Sequence, residues 1–161
     1  MLFVIHHATR IVHIAGVTTN PDGDFMAQVA RNLTAQRDGF LRGKQFLILD
    51  RDTKFTDQFC EILANPGIGV VRTAYQAPDM NAFAERWVQS VKRECLDHLI
   101  LFGQAHLERA LREYVAHYHA DRPHQGLRNE LIKGDPPAGL GDVVVRERLG
   151  GLLNSDHRSA A

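Results

Sequence analysis

The pattern of hydrophobic positions along the chain predicts four short strands. Val and Ile are concentrated in Leu2–Ile5 and in residues 11–18, and the segment HHATR between them indicates a tight hairpin. The run Phe46–Leu49 is apolar at every position, which is typical of a short buried strand, and residues 69–73 have a similar character. We therefore expect two strands in a hairpin, followed by two separate strands.

Apolar residues recur at helical spacing in four other segments. The first two predicted helices cover residues 25–37 and 56–65, and a Pro-Gly pair ends the second. A long amphipathic helix is predicted over residues 81–101, and a fourth helix over residues 107–119. The order strand, strand, helix, strand, helix, strand, helix, helix is an α/β order.

Proline, glycine and polar residues predict irregular structure in two places. The segment YQAPDMN, which precedes the long helix, has no regular period. Farther on, the pair Pro136-Pro137 lies among glycines, and residues 153–161 (LNSDHRSAA) have the composition of a frayed tail. We interpret residues 1–140 as one core domain and residues 141–161 as a flexible C-terminal tail.

The composition adds little to the predicted fold, but it limits the classes of function that are possible. The chain has 161 residues, 44% of them hydrophobic, which suits one domain of ordinary size. Its 19 basic and 19 acidic residues give zero net charge, so any attraction to nucleic acid must come from a local patch. Cys60 and Cys95 lack a CxxC partner and suit a reducing compartment. No apolar run resembles a signal peptide or a membrane span, so we expect a cytoplasmic protein without a membrane partner.

Two carboxylates lie at positions where α/β folds commonly have ligand-binding or catalytic sites. Asp50 directly follows the predicted strand Phe46–Leu49, and open α/β sheets bind ligands at the carboxyl ends of their strands. Glu85 is near the start of the long helix. One further strand and one loop separate these two acids, enough chain to bring both to one edge of the sheet. Carboxylates from different elements are the ligands of divalent cations in phosphoryl transfer.

Three segments resemble motifs of the DDE integrases and insertion-sequence transposases. LDRDTKF resembles their D-N-G-x-x-F segment, with Asp50 as the second catalytic acid. NAFAERWVQSVKREC resembles their N-x-x-x-E-R-x-x-x-x-x-K-R-E helix, with Glu85 as the third acid. YVAHYHADRPHQGL resembles their Y-N-x-x-R-P-H-x-x-L signature, carried here by Tyr118, His119, Arg122, Pro123, His124 and Leu127. Three motifs in order, at family-like spacing, are far more specific than one, and the resemblance spans roughly residues 2–140.

The resemblance implies a ribonuclease-H-like integrase core that acts in DNA integration or transposition. In that family three carboxylates hold two divalent ions, Mg²⁺ or Mn²⁺, at which water or a DNA 3′-hydroxyl attacks a phosphodiester. Asp50 and Glu85 would be both catalytic residues and metal ligands. The implied partners are DNA, as transposon ends and as target, and a second copy of the chain or a full-length transposase.

A DNA contact surface is predicted beside Glu85. Gln89 and Lys92 lie four and seven residues after it and therefore share its helix face, and Arg93 is adjacent. A cation and an amide there would hold a phosphate backbone. The resemblance adds Arg122 and His124 to the predicted DNA-binding residues. The alternative is that Lys92 and Arg93 only solvate a helix face.

The chain departs from the family pattern at the first acid. That acid lies on a strand upstream of a segment like LFVIHHATR, and no residue here matches it. Because that strand is central in the family's sheet, we expect an incomplete sheet with Leu2–Ile5 at an open edge. We interpret the chain as N-terminally truncated and expect it to be inactive alone. Asp52 replaces the family's glycine and is expected beside a metal site or in solvent.

Two other functions remain open from the sequence. LILDRDTK also matches the D-x-D-x-T motif of haloacid-dehalogenase phosphatases, in which Asp50 would be the nucleophile and Asp52 the general acid. The third possibility is a non-catalytic remnant that binds DNA or a transposase.

Overall fold

The computed structural model describes residues 1–74, 81–133 and 141–159. The predicted irregular segment at residues 75–80 and the pair Pro136-Pro137 lie outside the described residues. The elements in chain order are β1 (Leu2–Ile5), β2 (Val12–Gly16), α1 (Gly23–Leu33), β3 (Phe46–Leu49), α2 (Asp57–Ala64), β4 (Gly69–Arg72), α3 (Ala82–Glu94), α4 (Gly103–Ala120), β5 (Val143–Arg148) and β6 (Leu153–Arg158). Short 3-10 turns follow α3 at Leu96–His98 and α4 at Gln125–Leu127. The predicted α/β class is therefore confirmed.

The chain divides into two compact units. The first unit contains Met1–Val4 and His13–Ala84, and the second contains Ile5–Val12 and Glu85–Ala161. The described strands form three two-stranded sheets: β1 with β2, β3 with β4, and β5 with β6. In the described residues, none of the helices has the length and hydropathy needed to cross a membrane.

The first unit is built on α1, α2 and the parallel pair β3–β4. Helix α1 begins where the Asp22 side chain accepts a hydrogen bond from the Phe25 amide at 2.9 Å, an N-cap that satisfies one of the exposed donors of the first turn. Its apolar face packs with α2 and β3 into one core of Met26, Val29, Ala30, Leu33, Leu41, Leu47, Leu49, Phe55, Phe59, Leu63 and Ile68. Gly16 of β2 allows α1 to approach, because a Cβ there would lie 2.7 Å from the Phe25 ring.

Strand β3 has the predicted bounds but not the predicted burial. Leu47 and Leu49 are buried, whereas Phe46 and Ile48 are 66% and 45% exposed. Side chains alternate between the two faces of a strand. Only one face of β3 therefore packs on the core, although the sequence is apolar throughout.

The second unit is organised around the single tryptophan. Trp87 of α3 is fully buried, with the rings of Tyr114 and Tyr118 from α4 at 5.4 and 4.7 Å between centroids. Aromatic contacts of this kind add to the burial of large apolar surfaces. His119 lies beside this cluster and its Nε2 accepts the amide hydrogen of Val12 at 2.9 Å, which ties β2 to α4.

The long third helix is shorter than predicted. It ends at Glu94 rather than near residue 101, and Cys95 leaves helical geometry at φ −137°. The ring Nε2 of His98 donates to the carbonyl oxygen of Arg93 at 2.8 Å. This bond satisfies a carbonyl left open at the helix end and competes with continuation of the helix. Cys95 is fully buried.

The prediction of a frayed C-terminal tail is wrong for residues 143–158. Strands β5 and β6 pair antiparallel from Val143 with Arg158 to Arg148 with Leu153. The turn between them contains Gly150 and Gly151, with φ of +67° and +88°. The predicted boundary at residue 140 lies outside the described residues.

The buried ring of His119 makes the stability of the second unit depend on pH. Burial disfavours the charged ring and, with smaller contributions from Lys133 and His124, lowers its pKa from 6.5 to about 4. The neutral ring accepts the Val12 amide through Nε2. The unfolded chain takes up the proton first as the pH falls. The contribution of His119 is therefore complete above about pH 6.5 and is lost towards pH 4, by up to about 3 kcal/mol.

We predict that His119→Gln reduces the fall in unfolding free energy between pH 7 and pH 4.5. The glutamine oxygen accepts the Val12 amide without titrating in this range. Urea unfolding followed by Trp87 fluorescence measures the slope. His98→Gln, at an exposed site, is the matched control and should leave the slope as in the parent; an unchanged slope in His119→Gln would contradict the assignment.

Candidate functional site

Asp50 lies at the carboxyl end of β3, as predicted. Its neighbour Leu49 ends the pairing with β4 by accepting the Thr73 amide at 2.9 Å, so the chain leaves the sheet at Asp50. The Asp50 side chain is exposed, and its Oδ1 accepts the Asp52 amide at 3.1 Å. Lys54 Nζ lies 4.0 Å from the same oxygen. Asp50 is thus a solvent-facing carboxylate fixed by a local turn.

Asp52 has a different environment from Asp50. Its carboxylate is ion-paired with Lys54 and also accepts the Lys54 amide at 3.0 Å. The side-chain hydrogen bond from Lys54 is the main reason that the pKa of Asp52 is lowered. The charge of Asp52 is therefore matched by a neighbouring lysine within the same turn.

Glu85 lies in the first turn of α3, in the second unit. Its side chain is exposed, and a carboxylate there is favourably placed in the field of the helix N-terminus. The buried face of the helix carries Trp87 and Val91. Each residue turns the helix by about 100°. The face opposite this core therefore carries Glu85 and the residues four, seven and eight positions after it.

That face is a strip of exposed polar side chains, which we call the α3 strip. Its members are Glu85, Arg86, Gln89, Lys92 and Arg93, all exposed. Three cations and one carboxylate give it a local charge of +2 in a chain with zero net charge. In the described part of the chain, none of its three cations forms an ion pair with an acid. The structure therefore brings Gln89, Lys92 and Arg93 together with Glu85.

Arg122 points into the second unit and binds Glu94. Its Nε and Nη2 donate to the two oxygens of Glu94 at 2.9 and 2.7 Å, and the Tyr114 hydroxyl donates to Glu94 at 2.7 Å. Burial alone would raise the pKa of Glu94, but the hydrogen bonds from Arg122 and Tyr114 outweigh it and the pKa is lowered. The guanidinium also lies 5.5 Å from the centre of the Tyr118 ring.

His124 is buried in the same cluster. Its Nε2 donates to the carbonyl oxygen of Tyr118 at 2.7 Å, and the two rings meet edge to face at 4.4 Å between centroids. Burial is the main reason that its pKa is lowered, so the ring is neutral at pH 7. Arg122 and His124 are thus packed against Tyr118, and neither belongs to the α3 strip.

Sequence reasoning missed two residues that the structure makes prominent. Arg86 belongs to the α3 strip, and its spacing of seven residues from Arg93 was a usable signal. Glu94 ends the third helix and pairs with Arg122, 28 residues away, and no local pattern indicates such a partner.

The carboxylates offer oxygen ligands of the kind that Mg²⁺ and Mn²⁺ prefer. Asp50 and Glu85 are both exposed and belong to different units. Within residues 1–74, 81–133 and 141–159, no three His, Cys, Asp or Glu side chains are grouped so that they could hold a metal ion.

Part of this chain matches a known protein family. Residues 66–130 match the family model described as the integrase core domain. The match includes α3 and α4, and with them Glu85, Gln89, Lys92, Arg93, Arg122 and His124, whereas Asp50 precedes it. No curated protein and no solved structure matches the chain. The resemblance identified from the sequence motifs is confirmed over residues 66–130, which match the integrase core domain and support a core of the retroviral-type integrases and transposases there.

Proposed function

We propose that this chain acts in DNA integration or transposition and contacts DNA through the α3 strip. The observation that carries the proposal is the set of cations beside Glu85 that have no acid partner among the described residues, on a helix within the integrase core match. Lys and Arg side chains bind phosphates whatever the base sequence, and Gln89 can donate to a phosphate oxygen. The DNA backbone would therefore lie along α3, next to the Glu85 carboxylate.

We further propose that Asp50 and Glu85 are two of the three acids of a ribonuclease-H-like site for Mg²⁺ or Mn²⁺. Bound divalent ions would supply an activated oxygen nucleophile and stabilise the charge that develops on the phosphate. The support is chemical: both carboxylates are exposed, carry hard oxygen donors and lie at element ends. Lys54 at 4.0 Å would have to move away from Asp50 or balance its charge when a cation binds.

The state of Asp52 favours this proposal over the phosphatase alternative. A general acid at Asp52 must hold a proton near neutral pH, which requires a raised pKa. The ion pair with Lys54 lowers that pKa. The alternative of a non-catalytic protein that binds DNA shares the α3 strip with our proposal and differs from it in having no metal-binding role for Asp50 and Glu85.

We propose a positioning role for Arg122 and His124. Both groups have protein partners, and Arg122 makes two charge-assisted hydrogen bonds with one carboxylate. Such bidentate pairs fix orientation as well as charge. In this proposal Arg122 and His124 support DNA binding by holding α3 against α4.

We predict that the double variant Lys92→Ala/Arg93→Ala binds duplex DNA more weakly. In a plot of log DNA affinity against log salt concentration, the negative slope should become about two units shallower. Each lost phosphate contact reduces the slope by about one unit. Fluorescence anisotropy over a salt series measures both quantities. Arg109→Ala/Arg112→Ala removes the same charge from exposed positions of α4 and is the control; an equal effect in the two variants would refute a specific role for α3.

We predict that Arg122→Ala lowers stability and leaves unchanged the slope of log DNA affinity against log salt, because Arg122 makes no phosphate contact in this proposal. The change deprives the half-buried Glu94 carboxylate of its cation and should cost about 1–3 kcal/mol in unfolding free energy. Urea unfolding and anisotropy over a salt series at low temperature separate the two effects. Arg112→Ala is the control for stability. A shallower slope with normal stability would instead place Arg122 at the DNA.

We predict that the 161-residue chain shows no strand transfer with Mg²⁺ or Mn²⁺, because in the part of the chain that the structure describes no third carboxylate is grouped with Asp50 or Glu85. A labelled oligonucleotide joined to a plasmid target reports product. Turnover that Glu85→Gln abolishes would overturn this prediction, and it would then identify Glu85 as catalytic.

A further inference from the structure

Strand β5 exposes three consecutive valines. Val143, Val144 and Val145 are 58%, 43% and 52% exposed, so apolar side chains face solvent on both sides of the strand. Natural edge strands are usually protected by lysine, proline or a bulge, and residues 143–145 have none of these. A three-residue apolar edge without such protection is characteristic of a surface that pairs with another strand.

The hydrogen bonds of the hairpin leave the outer edge of β5 available. The Ser159 amide donates to the carbonyl oxygen of Asp142 at 3.0 Å, and the register pairs Val144 with His157. Alternate residues of a strand direct their main-chain groups to the same side. Val143 and Val145 therefore direct N–H and C=O away from β6, and among the described strands only β6 pairs with β5.

The hairpin is held in place by ion pairs. Arg146 donates to Asp121 at 2.9 Å, and Arg148 donates to Asp121 at 3.1 Å and to Glu113 at 3.2 Å. The side chain of Asp121 is only 5% exposed. Strand β5 is thus fixed to α4, and its outer edge is presented in a defined orientation.

We propose that two copies of this chain associate by antiparallel pairing of their β5 strands. The sequence Asp142-Val143-Val144-Val145-Arg146 is complementary to itself when reversed. With the two-fold axis at Val144, this residue lies opposite Val144 of the second copy, and Val143 lies opposite Val145 of the second copy. Asp142 lies opposite Arg146 of the second copy, so opposite charges flank three apolar pairs.

This register also satisfies the main chain. Val143 and Val145, which direct their N–H and C=O groups outward, form the hydrogen-bonded pairs, and together the two copies gain four backbone hydrogen bonds. Arg146 gives one N–H to Asp121, and its guanidinium has further donors for Asp142 of the second copy. Two marginal two-stranded ribbons become one four-stranded sheet. Charge complementarity therefore favours a second copy over an unrelated strand.

The test places charges on the two-fold axis. Val144→Lys and Val144→Glu each put like charges directly opposite one another and should weaken association about tenfold or more. His157→Lys introduces the same charge on β6, opposite Val144 and away from the outer edge, and should associate as the parent does. Sedimentation equilibrium of the full chain measures the dimer constant, and circular dichroism confirms folding.

Mixing the two charged variants tests the register itself. Val144→Lys and Val144→Glu should remain monomeric separately and form a heterodimer when combined, because opposite charges then meet at the axis. As a second test, Asp142→Lys places a lysine opposite Arg146 and should also weaken the dimer. A parent chain that is monomeric at its highest attainable concentration would overturn the proposal. So would folded charged variants that associate as the parent does, or a mixture that stays monomeric.

Discussion

The ion pair between Glu94 and Arg122 sets the rotation of α3. Glu94 lies nine residues after Glu85, and nine residues turn a helix by about 900°, which places the two side chains on opposite faces. When Glu94 points inward to Arg122 and Tyr114, Glu85 must point outward. The same rotation exposes Lys92 and buries Trp87. The surface proposed to bind DNA is thus a consequence of a contact on the other side of the helix.

Two adjacent residues at the end of α4 connect this helix to the rest of the second unit. Arg122 binds α3 through Glu94, and Asp121 binds β5 through Arg146 and Arg148. Both carboxylates are at most half exposed, where ion pairs are screened less than at a free surface. The turn after α4 therefore positions α3 on one side and the C-terminal hairpin on the other.

The sequence predicted local features well and distant partners poorly. The bounds of β3 and the element bearing each carboxylate follow from short-range periodicity, because a buried strand or helix face repeats every two or about 3.6 residues. The polar composition of residues 153–161 predicts a frayed tail, but residues 153–158 pair with β5, and such a pairing partner is identified only by the fold. The family resemblance predicts a DNA contact for Arg122, whereas Glu94, its partner 28 residues away, is identified only by the fold. Burial decides whether an arginine is available for a ligand, and no local pattern reports it.

Zero net charge does not prevent this chain from presenting a basic surface. The ion pairs of the described residues engage acids within the fold: Glu94 with Arg122, Asp121 and Glu113 with the arginines of β5, and Asp52 with Lys54. The cations of α3 have no such acid among the described residues, so their charge is uncompensated locally. DNA responds to this local field, because at physiological salt charges beyond roughly 8 Å are screened. A neutral chain can therefore bind a polyanion where its charges are unevenly distributed and one helix face is locally positive.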